Sequence, residues 1–115
     1  MRDYNKLTAF KLADEIAVLI YKITQHFPKD EMYGLTSQMR RAAVSIPSNI
    51  VERCSRESQA NYLRFLVIAF GSLKELHYQF TLACKLNYIE TEINQTEIKF
   101  IETEKVLGAL IRSLR

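Results

Sequence analysis

The side chains that could do chemistry are few and scattered. His26 and His77 are the two histidines, and neither has a second ligand-type residue at a metal-binding spacing. A helical di-iron site would need Glu-x-x-His motifs, and the sequence contains none. Glu15, Glu52 and Glu75 could point inward from three successive helices, which leaves Glu52, Glu75 and His77 as the material for a metal or redox site without its usual histidines. Ser45, Ser48 and Ser72 have no nearby histidine to activate them, and Gly34, Gly71 and Gly108 are too far apart to cradle a phosphate. Cys54 and Cys84 stand alone without a CxxC partner and read as small core residues. The expectation is a protein that is not an enzyme, with no metal, no cofactor and no small-molecule substrate.

Arginine is the better lead. Net charge is +3, and all of the excess lies between Leu35 and Arg64, where Arg40, Arg41, Arg53, Arg56 and Arg64 face only Glu52 and Glu57. Guanidinium groups bind phosphates bidentately, and several on one surface would supply the salt-dependent attraction behind nucleic-acid affinity. Those five arginines are therefore the candidate nucleic-acid-binding residues. The competing reading locks them into ion pairs, with Arg41 or Arg53 meeting Glu52, Glu57 or Glu75, within a protein–protein scaffold. Tyr62 and Tyr78 could stack on bases, although a tyrosine on an amphipathic helix usually edges a core.

Four amphipathic helices must position these residues. Phe10, Ala13, Ile16, Ala17, Ile20 and Ile23 recur at steps of three and four, predicting a first helix over 8–26 that Phe27-Pro28 ends. A second stripe runs through Leu35, Met39, Ala43, Ile46, Ile50 and Cys54, starting between Glu31 and Thr36. Pro47 lies inside it; the stripe keeps its phase, which favours a kinked helix over a break at Ile46. Ser58 is the expected N-cap of a third helix over 58–87, facing the core with Tyr62, Phe65, Leu66, Ala69, Leu73, Leu76, Phe80 and Ala83. A fourth helix should start near Thr91 to Asn94, where Asn94-Gln95-Thr96-Glu97 has capping-box spacing, and run to Leu114 with Phe100, Leu107, Leu110, Ile111 and Leu114 inward. Ala42-Ala43 and Gly71-Ser72 are small enough to let the second and third helices approach closely.

Short connections between such helices predict an all-α, antiparallel up-and-down four-helix bundle with a proline-kinked second helix, a single domain over 1–115. Three glycines and two prolines are too few turn-formers for a many-stranded sheet. No apolar run approaches the length of a membrane span, and the first residues lead into an amphipathic segment, so a cytoplasmic protein without membrane partners is expected.

Some large apolar residues fall outside the bundle-facing stripes: Val18 and Tyr21 on the first helix, Leu63, Val67 and Phe70 on the third. Either the core face is wide, or these five form the interface of a homo-oligomer.

The run Tyr33-Gly34-Leu35-Thr36-Ser37-Gln38-Met39-Arg40-Arg41-Ala42-Ala43-Val44-Ser45-Ile46-Pro47-Ser48-Asn49-Ile50 resembles the signature of the 23S rRNA intervening-sequence protein family, also described as four helix bundle proteins. Phe27-Pro28 before it, Phe65-Leu66-x-Ile68-Ala69-x-Gly71-Ser72-Leu73-x-Glu75-Leu76 after it, and Leu110-Ile111-Arg112-Ser113-Leu114 at the end agree in order. The resemblance implies the same bundle with a proline inside its second helix, a ring-like homo-oligomer, expected to be five-fold, and RNA as a partner inferred from gene location and basic surface. It implies no catalytic residue. Glu52, Arg56 and Ser58 match their family positions, whereas Val51-Glu52-Arg53-Cys54-Ser55 replaces the usual Ala-Glu-Gly, aromatic and glycine. Asn61 and His77 stand where acidic residues are common. Without those glycines the second helix either runs further or ends without a left-handed cap, and Arg53 is added to the basic stretch.

Overall fold

The computed structural model describes residues 4–52 and 58–115 of the chain. Among them are four α-helices, α1 (Tyr4–Thr24), α2 (Leu35–Ile50), α3 (Gln59–Lys85) and α4 (Ile93–Ser113), with a short 3-10 turn at Lys29–Glu31 and no strand. Each helix is amphipathic at the spacing its sequence requires. Ala9, Ala13, Ile16 and Ile20 of α1 are buried, as are Met39, Ala43, Ile46 and Ile50 of α2. Leu66, Ala69, Leu73, Leu76 and Phe80 of α3 close against Phe100, Leu107 and Leu110 of α4. Packing is cyclic: α1 lies against α2 and α4, α3 lies against α2 and α4, and the backbones of the diagonal pairs stay apart. The core is therefore one four-sided stack along a body 44 Å long.

α2 continues through Pro47 to Ile50, which removes the alternative of a break at Ile46. Its C-cap, Val51, is right-handed (φ −92°), so the helix ends without the left-handed residue that a glycine would have supplied. Cys54, Arg53 and Arg56 lie outside the described residues. Ser58 caps α3 as expected, its hydroxyl accepting from the Asn61 amide at 3.1 Å. α4 starts within the expected range, but the expected capping box does not form. The helix begins at Ile93, one residue before the supposed capping box, and its N-cap is Glu92 in the left-handed region (φ 55°) with no side-chain cap. Asn94 thus sits inside the first turn. The α3–α4 connection carries two left-handed residues, Asn87 (φ 63°) and Glu92, and tucks Ile89 into the core between them. Burial of one isoleucine, worth roughly 1.5–3 kcal/mol, offsets the strain of that path.

The small residues of α2 and α3 meet in part as expected. Ser45 and Ser72 share a hydrogen bond of 2.9 Å across the helix pair. Gly71 faces outward, and a Cβ there would meet nothing within 4 Å, so the close approach depends on Ser72 and not on Gly71.

Glu31 fastens the α1–α2 turn. One carboxylate oxygen accepts from the Leu35 amide at 2.9 Å and the other from the Tyr88 hydroxyl at 2.8 Å. Tyr88 in turn packs its ring on Phe27. The Leu35 amide, then the Tyr88 hydroxyl, hold the Glu31 carboxyl below the usual glutamate range. A carboxyl depressed in the fold adds stability at pH values above its unfolded pKa, and that contribution is lost as pH falls through the folded value. Acid unfolding should accordingly be less steep in Glu31→Gln than in the wild type, measured as urea midpoints between about pH 3 and pH 6. Parallel curves for the two proteins would remove this assignment.

Candidate nucleic-acid interface

Consecutive residues on a helix are turned by about 100°, so Arg40 and Arg41 cannot face the same way. Arg40 turns toward α1. Its Nε donates to Thr24 Oγ1 at 2.8 Å, its Nη2 donates to the Tyr21 carbonyl at 3.3 Å, and its guanidinium lies 4.7 Å from the centre of the Tyr21 ring. A cation at the C-terminal end of α1 also meets the negative end of that helix's dipole. Arg40 is thus half-buried and structurally engaged, which is the ion-locked reading in a modified form: its partners are a hydroxyl, a carbonyl and an aromatic ring instead of a carboxylate.

Arg41 is exposed and makes no hydrogen bond or ion pair with another described residue. It shares a small cleft of about 150 Å³ with Glu75 and Ser72, yet the two charges do not pair. Arg64 is also exposed, on α3, with its guanidinium 5.6 Å from the Phe65 ring and Nη2 3.4 Å from Asn61 Oδ1. The five candidate arginines therefore do not form one described patch. Arg53 and Arg56 fall outside the described residues, Arg40 is held inward, and Arg41 and Arg64 are free to meet an anion.

Beside Arg41 a groove of about 580 Å³ runs over the outer side of α2 toward α1. Tyr21, Met32 and Val44 give it apolar walls, Ser37 a hydroxyl, and Arg40 and Arg41 its charge. No carboxylate lines it. This contrasts with a groove of about 550 Å³ at the α3–α4 connection, where Lys22 and His26 are balanced by Glu90 and Glu92.

The aromatic residues divide differently from the sequence reading. Tyr62 is half-buried at the core edge, beneath the Lys6 ammonium at 4.8 Å, whereas Tyr78 is exposed. Tyr33, in the turn before α2, is 91% exposed, more than any other large hydrophobic residue described. Sequence reasoning missed it, and the signal was present: an aromatic next to Gly34, between two amphipathic segments and belonging to neither.

The residues considered for metal or redox work are placed elsewhere. Glu15 and Glu75 are exposed, contrary to the inward orientation considered for them. Glu15 accepts from Lys99 at 2.6 Å, and this bond with the adjoining ammonium charge lowers its carboxyl below the usual range. His77 lies on α3 facing α4, only two residues from Glu75 but turned by about 200° to another side of the helix. Its Nδ1 is 2.5 Å from Glu104 Oε2, its Nε2 is 2.9 Å from Glu97 Oε2, and its ring stacks on Phe100 at 4.6 Å. Lys74 adds a cation 3.6 Å from Glu104. The two carboxylates sit at opposite ends of the imidazole, which suits a clasp between helices and not convergence on one ion. Among the described residues no group of three or more His, Cys, Asp or Glu is arranged to hold a metal. Burial, and secondarily the charge of Glu97, push the Cys84 thiol up, which keeps it protonated and a poor nucleophile.

The apolar residues set aside for self-assembly fall on two sides of the bundle. Val18 and Tyr21 are exposed on α1. On α3, Val67 is exposed, while Leu63 and Phe70 are partly buried and pack against the core. Val67 and Phe70 line a recess of about 270 Å³ with Gly108, Ile111, Arg112 and Arg115 of the α4 end. Since α1 and α3 are diagonal, with no close backbone approach between them, the five residues fall on two sides of the bundle.

No described helix is long and apolar enough to cross a membrane. Among curated proteins nothing matches the sequence. A crystal structure of a protein of unknown function from the S23 ribosomal protein family of Bacteroides thetaiotaomicron superposes with a TM-score of 0.82 at 24% identity, covering 94% of this chain and 98% of that one. That likeness establishes a shared fold. The model of the 23S rRNA-intervening sequence proteins matches residues 5–109, nearly the whole chain, including α1, α2, α3 and most of α4. The chain belongs to the 23S rRNA-intervening sequence protein family.

Proposed function

We propose that this protein is a non-catalytic helical module that assembles with copies of itself and contacts structured RNA through the outer face of α2. The observation that carries the RNA contact is the groove beside Arg41, whose charged lining is two arginines and no carboxylate. Such a cleft favours an anion over a neutral or cationic partner. RNA as that anion is supported by the family's description as 23S rRNA-intervening sequence proteins and by the S23 ribosomal protein family of the Bacteroides relative. Arg41 supplies the direct phosphate contact, and Arg64, exposed on α3, is available for a second.

Self-assembly is supported by the two separated apolar patches. When one patch of a copy covers a different patch of the next, the contact is head-to-tail, and such contacts close into a ring where the rotation between copies divides a full turn. Val18 on one side and Val67 with Phe70 on the other fit such an arrangement, and a five-fold ring is one closure it permits. A cytoplasmic setting suits both activities.

A second reading, a protein scaffold whose arginines are structural, is favoured by one residue, Arg40. A salt series separates the two. RNA affinity of the wild type should fall steeply as salt rises, and Arg41→Ala should weaken binding and lower the salt slope by about 1 while leaving thermal stability unchanged. Arg40→Ala should instead lose about 1–2 kcal/mol of stability with its two charge-assisted hydrogen bonds. RNA affinity indifferent to salt and to Arg41 would leave the scaffold reading in possession. A solution mass of 13.4 kDa at micromolar concentration, measured by light scattering, would remove self-assembly.

A further inference from the structure

Tyr33 is poorly explained by the fold alone. A tyrosine with 91% of its surface in water contributes almost nothing to the core, and the neighbouring Met32 is 53% exposed. The segment that presents them is well held nonetheless. The Gly34 amide donates to the Glu31 carbonyl at 2.9 Å, the Met32 amide to the Lys29 carbonyl at 3.0 Å, and Glu31 binds both Leu35 and Tyr88. An aromatic ring is thus offered to solvent from an ordered turn, directly before the helix that carries Arg40 and Arg41.

Tyr21 completes the arrangement. One face of its ring is covered by the Arg40 guanidinium, and 43% of the residue remains accessible on the groove. Because Arg40 is fixed by Thr24 and the Tyr21 carbonyl through Nε and Nη2, its Nη1 is held in place and donates to no other described residue. The groove's volume of about 580 Å³ lies within the range of about 300–1,000 Å³ that encloses a ligand of nucleotide size.

We propose that the RNA taken by this protein is single-stranded where it binds, with bases stacked on Tyr33 and in the Tyr21 groove and the backbone held by Arg41 and the free amino group of Arg40. The proposal rests on the RNA reading above and narrows it. Two groove arginines supply too few phosphate contacts to hold a duplex by charge alone, since each neutralised phosphate contributes only one increment of counterion release. A duplex also keeps its base faces stacked on one another and offers nothing to an exposed tyrosine. A single strand offers those faces, and stacking on aromatic rings beside cations is how proteins hold single strands without sequence preference. The apolar walls of the groove, unhelpful to a phosphate backbone, are then used by the base.

The test is fluorescence anisotropy with the full chain, a labelled single-stranded RNA 12-mer of mixed sequence, and the same strand annealed to its complement, at one moderate salt concentration. Wild type should bind the single strand at least about tenfold more tightly than the duplex. Tyr33→Ser should lose about tenfold in affinity for the single strand, Tyr33→Phe should restore it, and both should melt like the wild type because Tyr33 makes no core contact. Equal binding of duplex and single strand, or Tyr33→Ser binding like wild type, would overturn this inference while leaving the RNA reading intact through Arg41→Ala. Absence of binding to either RNA would overturn both and turn the groove and Tyr33 into a surface for an acidic protein.

Discussion

Phe100→Ala is expected to cost about 3–5 kcal/mol, the largest loss from any single truncation considered for this fold. Phe100 is fully buried on α4, and its ring joins two features of α3: it lies 5.4 Å from the Phe80 ring and stacks on His77. Truncation therefore opens a cavity, removes an aromatic pair and unseats the imidazole in one step. For a chain of 115 residues, unfolding entropy near the midpoint makes 1 kcal/mol equal to roughly 4 °C, so the melting temperature should fall by roughly 12–20 °C. Calorimetry decides it. A loss below about 1 kcal/mol would mean that α3 and α4 do not close on each other around this ring.

His77→Ala is the second large expectation, at about 2–3 kcal/mol. The imidazole stands between Glu104, whose side chain is 15% exposed, and Glu97, which is 42% exposed. Removing it leaves two carboxylates on α4 without the group between them, and the more buried of the two keeps only Lys74 at 3.6 Å. Stranding a partly buried charge costs more than the pair itself contributes. The asymmetry gives a sharper measurement: Glu104→Gln should destabilise more than Glu97→Gln, and a double-mutant cycle between His77 and Glu104 should show coupling above about 1 kcal/mol. Coupling near zero would reduce the clasp to an incidental contact between neighbours.

Much of the architecture was legible because it follows from period. The stripes of α1, α2 and α3 became core, and Ser58 became a cap, since both depend on residues a few positions apart along one helix. The place where α4 starts was legible, but its cap was not. Asn94-Gln95-Thr96-Glu97 satisfies the local pattern, but burial of Ile89 draws the chain in earlier and the helix begins behind a left-handed Glu92. The Gly71-Ser72 pair was half right for a similar reason, because 100° of rotation puts Ser72 on Ser45 and Gly71 in open space. The arginine stretch was legible as charge and not as geometry. Adjacent positions Arg40 and Arg41 were grouped by sequence, whereas helical rotation assigns one to α1 and the other to solvent. Tyr33 escaped notice because a residue outside every stripe has no period to reveal it.

Pro47 has an energetic consequence of its own. Lacking an amide hydrogen, it leaves one rung missing from the ladder of α2, in the helix's last turn. What lies beyond is tied back by the Val51 amide on the Pro47 carbonyl at 3.1 Å and by the Asn49 side chain on the Ser45 carbonyl at 2.7 Å. The final turn therefore depends less on its backbone ladder than on the burial of Ile50, which ties it to the core. The backbone amides of that turn should exchange with deuterated solvent before those at Met39 and Ala43, giving α2 a graded rigidity along its length.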